Sequence, residues 1–197
     1  MSDPLAPVLA AIARPGRDTS DYDLNRESQR PTPQTLLPAA VLIALQTRPD
    51  GTFLILTKRA SHLKHHPGQI AFPGGKADAA DRDPVATALR EAREEIGLSA
   101  GDAQVLGEIE PHETVTGFRV TPVIARISPT FRPIRQEDEV EEIFAVPLSH
   151  VTNPAMFRVE GRRWLGQTRH YYVVPYGPYY IWGATARILR ALADRMM

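Results

Sequence analysis

Two apolar runs in the first third of the chain predict its first pair of strands. Residues 39–45 read AAVLIAL and residues 53–57 read FLILT, and the turn sequence RPDG lies between them at residues 48–51. Short apolar runs that are bounded by turn residues are typical of buried strands. The glycine of the turn can adopt a positive φ angle, so we predict a β-hairpin over residues 39–57.

Later apolar runs predict further strands and a final helix. The strand predictions cover residues 69–72, 103–109, 119–127, 142–146 and 171–175. Residues 182–196 form the predicted final helix, which places Ile188, Leu189 and Leu192 on one side. Strands on both sides of a helix over residues 84–96, with a second helix at the end, predict an α/β fold in which a mixed sheet lies between helices.

The first 37 residues differ from the rest in their many prolines and their polar middle. A short amphipathic helix is predicted before Pro15, because apolar side chains recur at helical spacing at Leu5, Val8, Leu9 and Ile12. It is too short to span a bilayer and lacks the basic start of a signal peptide. We predict that residues 1–37 are an N-terminal arm and linker, extended over residues 18–34, and that residues 38–197 are the main domain. The arm would pack on this domain or on the partner subunit of a homodimer.

The helix over residues 84–96 has clear signals at both ends. Asp83 is a good N-cap, and Pro84 fits the first helical position, where its missing N–H has no consequence. Gly97 can end the helix in a left-handed conformation. The apolar stripe that would face a core is formed by Val85, Ala88, Leu89 and Ala92.

Three glutamates on this helix are candidates for a metal site. Glu91, Glu94 and Glu95 occupy positions i, i+3 and i+4, so they share one face of the helix. Bound Mg²⁺ or Mn²⁺ would relieve their mutual repulsion, since such hard cations prefer carboxylate oxygens. Arg90, one turn before Glu94, can hold that carboxylate in place. A solvated acidic helix is the alternative, but the Gly-Gly turn that precedes the helix favours a metal site.

Residues 74–98 resemble the Nudix box, which is written G-x5-E-x7-R-E-U-x-E-E-x-G-U with U a bulky apolar residue. The matching positions are Gly75, Arg90, Glu91, Glu94, Glu95, Gly97 and Leu98. The chain departs from the box at Asp81, which stands where the first Glu is expected and is separated from Arg90 by eight residues rather than seven. Ala92 is also smaller than the usual apolar residue. The resemblance implies a Nudix α/β/α sandwich with a central mixed β-sheet, and a catalytic metal site at the three glutamates with Arg90 beside them.

The preceding residues 55–75 resemble the motif of the coenzyme A pyrophosphatase subgroup, LLTxRSxxLRxxxGxVxFPGGxxDxxD. The motif continues through Asp78 and Asp81, so the extra residue in the box is itself a feature of the subgroup. Ala60 and Lys64 replace a Ser and an Arg of the motif. With similarity in the last helix included, the resemblance runs from about residue 39 to the C-terminus. It implies hydrolysis of coenzyme A or its acyl esters to 3′,5′-ADP and the (acyl-)4′-phosphopantetheine portion.

A basic run lies within this motif, just before the Gly-Gly turn. Its members are Lys58, Arg59, His62, Lys64, His65 and His66. A diphosphate and the 3′-phosphate of coenzyme A both require such donors. A solvated basic loop is the alternative, whereas the spacing of the histidines and the absence of cysteine disfavour a zinc site. The predicted substrate-binding residues are Arg59 first, then Lys58, Lys64, Gly74, Gly75 and Phe118. Phe118 can stack on an adenine or belong to the core.

An acidic loop over residues 137–142 offers a further catalytic carboxylate. Nudix enzymes commonly take a metal ligand or general base from a loop after the sheet strands, and Glu139 or Glu142 is the candidate here. A solvated acidic turn is the alternative reading for either residue. Glu91 is the competing general base within the box.

Overall charge excludes some classes of partner. The 23 acidic and 23 basic residues give a net charge of zero, which predicts no bulk attraction to nucleic acid or to an anionic membrane. We therefore expect a small-molecule nucleotide as the partner. The absence of cysteine excludes disulfides and is compatible with a reducing cytoplasm, where we expect the protein to act.

Two alternatives to coenzyme A hydrolysis remain open. The pocket can instead prefer ADP-ribose, NADH or another dinucleotide, because the box specifies the diphosphate chemistry and not the groups attached to it. From a different class, a nucleotide-binding regulator would keep the fold without turnover, although the intact Glu91, Glu94 and Glu95 argue against it.

Overall fold

The computed structural model describes residues 3–25, 36–64, 66–164 and 167–197. Its helices are α1 (Ala6–Ala13), α2 (Pro84–Ile96), α3 (Leu148–Val151) and α4 (Gly183–Met196). Its strands are β1 (Thr19–Ser20), β2 (Leu37–Arg48), β3 (Gly51–Arg59), β4 (Ile70–Ala71), β5 (Gly74–Lys76), β6 (Ala103–Glu108), β7 (His112–Glu113), β8 (Phe118–Ile127), β9 (Val140–Pro147), β10 (Arg158–Trp164) and β11 (Gln167–Val173). Among these residues, β1 to β9 form one sheet and β10 pairs with β11 in a separate hairpin.

Strand β2 lies at the centre of the sheet, because apolar layers cover both of its faces. Leu42 and Ala44 point into the layer formed with α2, whereas Ile43 and Leu45 point into the layer formed with α1 and α4. Strand β2 pairs in parallel with β8 and antiparallel with β3, so the sheet is mixed. The predicted α/β/α sandwich with a central mixed β-sheet is confirmed.

The predicted hairpin and most of the predicted strands are present. Strands β2 and β3 are joined through Pro49 and Asp50, with Arg48 paired to Gly51 at a φ of +140°. The predictions for residues 103–109, 119–127 and 142–146 correspond to β6, β8 and β9. The strand predicted at residues 69–72 shortens to β4, and the predicted final helix corresponds to α4.

The hairpin β10–β11 is the main element that the apolar pattern did not predict. Strand β10 was not predicted, and β11 begins four residues before the predicted range of 171–175. The sequence RVEGRR at residues 158–163 has little apolar character, and most of its side chains are exposed. A strand that contributes no apolar face to a core leaves no alternating signal in the sequence.

The N-terminal arm packs on its own domain through α1. Leu5 and Val8 are fully buried in the layer that also contains α4, as the helical spacing predicts. Leu9 is the exception, because 39% of it is exposed. The domain division at residue 37 and the homodimer stay predictions.

The linker prediction is wrong at Thr19 and Ser20. These residues form β1 and pair in parallel with β7, where the hydroxyl of Thr19 lies 2.9 Å from Nδ1 of the buried His112. Residues 26–34 of the predicted linker lie outside the described residues. No helix in the described part of the chain is both long and apolar enough to cross a bilayer.

Removing the buried side chain of Leu5, the N-cap residue of α1, should destabilise the whole domain. Leu5→Ala should lower the free energy of unfolding by about 2–4 kcal/mol, because it removes a fully buried side chain and leaves a cavity. Leu9→Ala, on the exposed side of the same helix, is the matched control and should cost less than about 1 kcal/mol. Urea unfolding followed by circular dichroism measures both values, and equal losses would contradict the anchoring of α1 through Leu5.

Candidate active site

Helix α2 is fixed at both ends by the residues that predict it. The carboxylate of Asp83 accepts a hydrogen bond of 2.7 Å from the amide of Ala86, and Pro84 follows as the first helical residue. Gly97 ends the helix in the left-handed region at a φ of +71°. The buried Ala88 and Ala92 hold the inner face of α2 against the sheet. The glutamates of α2 are therefore carried on a rigid element.

The Gly-Gly turn forms β5, which lies directly against the carboxylates of α2. Gly74 and Gly75 pair with β2, and the amide of Gly74 donates a hydrogen bond of 3.3 Å to Oε2 of Glu95. A Cβ atom on Gly75 would lie 2.5 Å from Oε1 of Glu91, and one on Gly74 would lie 2.5 Å from the carbonyl oxygen of Ala40. Glycine is required at position 74, where a Cβ atom would meet the backbone of β2, whereas a side chain at position 75 would displace the carboxylate of Glu91.

Glu95 is the most deeply buried carboxylate of the helix, with only 3% of the residue exposed. Burial raises its pKa to about 8, although the amide of Gly74 and the nearby guanidinium of Arg59 act in the opposite direction. Nη1 of Arg59 lies 3.9 Å from Oε1 of Glu95. Burial is also the main cause that raises the pKa of Glu91. Both carboxylates thus favour a nearby positive charge.

Arg90 connects the helix to the loop before it. Its Nη1 lies 2.9 Å from Oε1 of Glu91 and 3.1 Å from Oε2 of Glu94. Its Nη2 lies 2.9 Å from Oδ2 of Asp81 and also donates to the carbonyl oxygen of Lys76. The hydrogen bonds from Arg90 hold the pKa of Asp81 well below its usual range. Asp81 therefore anchors Arg90. The sequence analysis had assigned no role to Asp81, because it departs from the box in residue type and in spacing.

The predicted metal ligands are brought together only in part. Glu91 and Glu95 face β5, whereas the side chain of Glu94 is 50% exposed and pairs with Arg90. In this arrangement no three acidic or histidine side chains of the described residues converge as they would around a bound ion. The donors still fit a hard divalent cation, because they are carboxylate oxygens and each is repelled by neighbouring negative charge. Burial first and then the charges of Glu94 and Glu139 raise the pKa of Glu91, and burial first and then the charges of Glu91 and Glu139 raise that of Glu95. Glu94 would have to leave Arg90 to serve as a ligand.

Glu139 of the acidic loop acts on the same site. Its negative charge contributes to the raised pKa of both Glu91 and Glu95. Its backbone carbonyl accepts a hydrogen bond of 2.9 Å from the amide of Ala60, which ties the loop to the end of β3. Glu142, the other candidate, instead accepts a hydrogen bond of 2.5 Å from the hydroxyl of Tyr179. Of these two candidates, Glu139 has the clearer electrostatic connection to the glutamates of α2.

A cleft of about 400 Å³ opens at the glycine turn, whose Gly74 and Gly75 contact Glu95 and Glu91 from behind; the carboxylates themselves are not among its lining residues. Four of the six predicted substrate-binding residues line it, namely Arg59, Gly74, Gly75 and Phe118. Phe118 also packs against the apolar layer of α1 and α4, so both predicted roles remain open for it.

Among the other members of the basic run, His66 also lines the cleft, whereas Lys58, His62 and Lys64 do not. Lys58 does not line the cleft, because its Nζ lies 2.5 Å from Oε1 of Glu141 on β9. Lys64 is exposed and does not line the cleft either. His62 contacts the carbonyl oxygen of Asp138, and His65 lies outside the described residues. The prediction that Lys58 and Lys64 bind substrate gains no support from these positions.

Two further cleft residues were missed by the sequence analysis. Asp21 comes from the predicted linker and reaches the cleft because its Oδ2 accepts a hydrogen bond of 2.9 Å from the amide of Val115. Trp182 lines the cleft from the position just before α4, where the sequence analysis predicted only the start of the final helix. No local signal marks Asp21, since its partner is 94 positions away in the chain.

Comparisons with known proteins agree with this geometry. The family described as NUDIX domain matches residues 36–167. The chain is 37% identical to the uncharacterized Nudix hydrolase NudL of Yersinia enterocolitica, across 94% of this chain and 96% of that protein. It is 41% identical to the uncharacterized NudL of Salmonella paratyphi B, across 90% and 94% of the two chains. The solved structure of a Nudix hydrolase from M. smegmatis, RenU, shares the fold with a TM-score of 0.50 and 23% identity, covering 58% of this chain and 73% of that one.

The raised pKa of Glu95 predicts how the metal-free protein responds to pH. Its folded-state pKa of about 8 exceeds the ordinary value of 4.5, so the folded state binds the proton more tightly and stability falls as pH rises between these values. Glu95→Gln stays neutral and should therefore melt at a higher temperature than the wild type in EDTA at about pH 9, with little difference at about pH 5.

Thermal melting at the two pH values measures this effect. Glu94→Gln is the matched control, because Glu94 is half exposed and should show no such pH-dependent gain. A Glu95→Gln variant that loses as much stability as the wild type between the two pH values would contradict the burial of a protonated carboxyl group at this position.

Proposed function

Since the chain belongs to the Nudix family, we propose that it hydrolyses the diphosphate bond of coenzyme A or its acyl esters. The products would be 3′,5′-ADP and (acyl-)4′-phosphopantetheine. The chain is a Nudix hydrolase, and members of this family generally use divalent metal ions. We propose the cytoplasm as its place of action, with which the absence of cysteine is compatible.

The position of Arg59 is the observation that best supports this substrate. Arg59 belongs to the segment that resembles the coenzyme A subgroup motif, and its Nη1 lies 3.9 Å from Glu95. It lines the same cleft as Gly74 and Gly75. The subgroup motif and the Nudix box thus contribute residues to one cavity, where a guanidinium can hold a diphosphate next to the carboxylates.

The glutamates of α2 would hold the cation. Mg²⁺ or Mn²⁺ suits a site made of carboxylate oxygens, and either ion would neutralise charge on the diphosphate and lower the pKa of a water molecule. Glu91, Glu94 and Glu95 are the proposed ligands. Arg90 acts as a positioning residue, because it holds both Glu91 and Glu94 against the loop at Asp81.

Other residues of the chain would carry the proton and the substrate. Glu139 is the proposed general base for two reasons. Its negative charge is close enough to contribute to the raised pKa of Glu91 and of Glu95, and its carboxylate has no hydrogen-bond partner among the described residues. It would take the proton from water as the water attacks phosphorus. Arg59 would stabilise charge on the diphosphate as the bond breaks. No covalent intermediate is required.

Removing a carboxylate from α2 should abolish most of the activity. Glu94→Gln and Glu95→Gln keep the side-chain shape and remove a ligand charge, so kcat should fall at least about 100-fold. Glu137→Gln is the matched control, because Glu137 is exposed and pairs only with Arg135 among the described residues. EDTA should inhibit the wild type, with recovery on addition of Mg²⁺ or Mn²⁺. Full activity in EDTA, or in a folded double variant, would exclude the metal-dependent mechanism.

A comparison of substrates tests the coenzyme A assignment. The wild type should hydrolyse coenzyme A with a higher kcat/KM than ADP-ribose or NADH, by about one to two orders of magnitude, because only coenzyme A carries an additional phosphate that can form charge-assisted hydrogen bonds. Steady-state kinetics with all three compounds measures this order. A higher kcat/KM for either dinucleotide would reject coenzyme A as the substrate and leave the diphosphate chemistry unchanged.

The role of Glu139 can be separated from that of Glu142. Glu139→Ala should lower kcat by about 100-fold with little change in KM, as expected for the loss of a general base. Glu142→Ala should keep wild-type kcat, because the carboxylate of Glu142 is bonded to Tyr179. If both variants keep wild-type kcat, either Glu91 is the proton acceptor or the attack on phosphorus needs no carboxylate base.

A further inference from the structure

A second cavity of about 330 Å³ adjoins the cleft. The two cavities share a common boundary, formed by Asp21, His66, Val115, Thr116, Trp182 and Gly183. The second cavity, which we name the side chamber, is lined in addition by Asn25, Arg162, Arg169, His170 and Tyr171. A ligand whose diphosphate lies at the glutamates of α2 can therefore extend into the side chamber without leaving the protein surface.

Two arginines of the β10–β11 hairpin form the basic wall of the side chamber. Arg162 and Arg169 are direct cross-strand partners, so their side chains leave the hairpin on the same face. Like charges in directly opposed positions destabilise a hairpin. Neither guanidinium has an ion pair with a carboxylate among the described residues, and Glu160 on the same face is bonded to the hydroxyl of Tyr180. The arrangement places two unneutralised positive charges side by side.

The wall is held in place by the N-terminal arm. The side-chain amide of Asn25 donates a hydrogen bond of 2.8 Å to the carbonyl oxygen of His170, and its Oδ1 accepts one of 2.7 Å from the amide of the same residue. Arg169 lies over the ring of Tyr22, 5.4 Å from its centroid. The arm therefore fixes β11 at the residue next to Arg169.

Aromatic side chains lie beside this basic wall. The rings of Tyr171 and Trp182 meet edge to face with centroids 5.2 Å apart. Tyr171 shares the hairpin face of Arg169, because residues two apart on a strand point the same way. An aromatic surface next to two guanidinium groups suits a nucleoside that carries a phosphate.

We propose that the side chamber binds a phosphomonoester that the substrate carries apart from its diphosphate, with Arg162 and Arg169 as the donors. The attached nucleoside lies against Tyr171 and Trp182. This inference rests on the proposed function, in which the group would be the 3′-phosphate of coenzyme A. It assigns recognition of that phosphate to the β10–β11 hairpin, rather than to Arg59 and the lysines of the basic run.

Paired ligands that differ only in one phosphomonoester test this assignment. Coenzyme A is compared with dephospho-coenzyme A, and NADPH with NADH, in wild type, Arg162→Gln, Arg169→Gln and the double variant. The double variant should lose about 10- to 100-fold in kcat/KM for the phosphorylated member of a pair that is hydrolysed. Its activity on the other member should change less than about threefold, which also verifies that the variant is folded.

Arg163→Gln is the matched control, because Arg163 is the next residue on β10, is exposed and does not line the side chamber. It should leave both members of each pair unchanged. Calorimetric titration of the protein with adenosine 3′,5′-bisphosphate, and separately with AMP, gives a second measurement that does not need turnover. The wild type should bind the bisphosphate more tightly, and the double variant should bind the two nucleotides equally.

The possible results separate the side chamber from the proposed function. Hydrolysis of coenzyme A with equal losses for both members of the pair, or with no preference in the wild type, overturns the side chamber and leaves the function standing. An arginine-dependent preference for NADPH, without hydrolysis of coenzyme A, supports the side chamber and rejects coenzyme A as the substrate. Equal binding of the bisphosphate and AMP by the wild type also overturns the side chamber.

Discussion

The burial of the Glu95 carboxylate is the constraint on which the rest of the site depends. A carboxylate that is only 3% exposed loses most of its hydrogen bonds to water, and the single hydrogen bond from the backbone amide of Gly74 compensates for only part of that loss. The approach of β5 to α2 that permits this contact requires glycine at residue 74, where a Cβ atom would meet the backbone of β2. It also requires a helix that cannot shift, which the Asp83 cap and the left-handed Gly97 provide. The metal-free site therefore carries a cost in stability that a bound cation would offset.

Arg90 limits the repulsion within the site by pairing with its other acidic groups. It pairs with Asp81, Glu91 and Glu94 at once, so a single guanidinium orders one loop and two helical side chains. Its strongest partner is Asp81, which also accepts hydrogen bonds from the amide of Asp78 and the hydroxyl of Thr87. The extra residue between Asp81 and Arg90 does not prevent this contact, because the loop before the helix absorbs it. Arg90 does not contact Glu95, whose carboxylate instead has the amide of Gly74 and the guanidinium of Arg59 beside it.

The local parts of the structure were predictable because their signals lie in neighbouring residues. The turn between β2 and β3, the cap at Asp83 and the glycine turn before α2 all follow from short stretches of sequence. The parts that were missed depend on contacts between distant residues. Asp21 reaches the cleft through an amide 94 positions away, and Asn25 binds a strand 145 positions away. Strand β10 has no apolar face, so its sequence carries no periodic signal. Lys58 and Arg59 are adjacent in the sequence, yet Lys58 pairs with Glu141 whereas Arg59 lines the cleft.

The residues proposed to bind the metal are close together in the sequence, whereas those proposed to select the substrate come from distant segments. The proposed metal ligands, the glycines and Arg90 all come from residues 74–95, so one continuous segment supplies the proposed metal site, to which Arg59 and Glu139 are added from β3 and the acidic loop. The side chamber is instead assembled from the arm, the segment at residues 115–116, the β10–β11 hairpin and Trp182. Substitutions in each of these segments can alter the side chamber without disturbing the glutamates of α2, because the segments line the cavities and do not pack on α2. Substrate preference can therefore diverge among relatives that keep the same box, and it must be determined from the three-dimensional arrangement rather than from the motif.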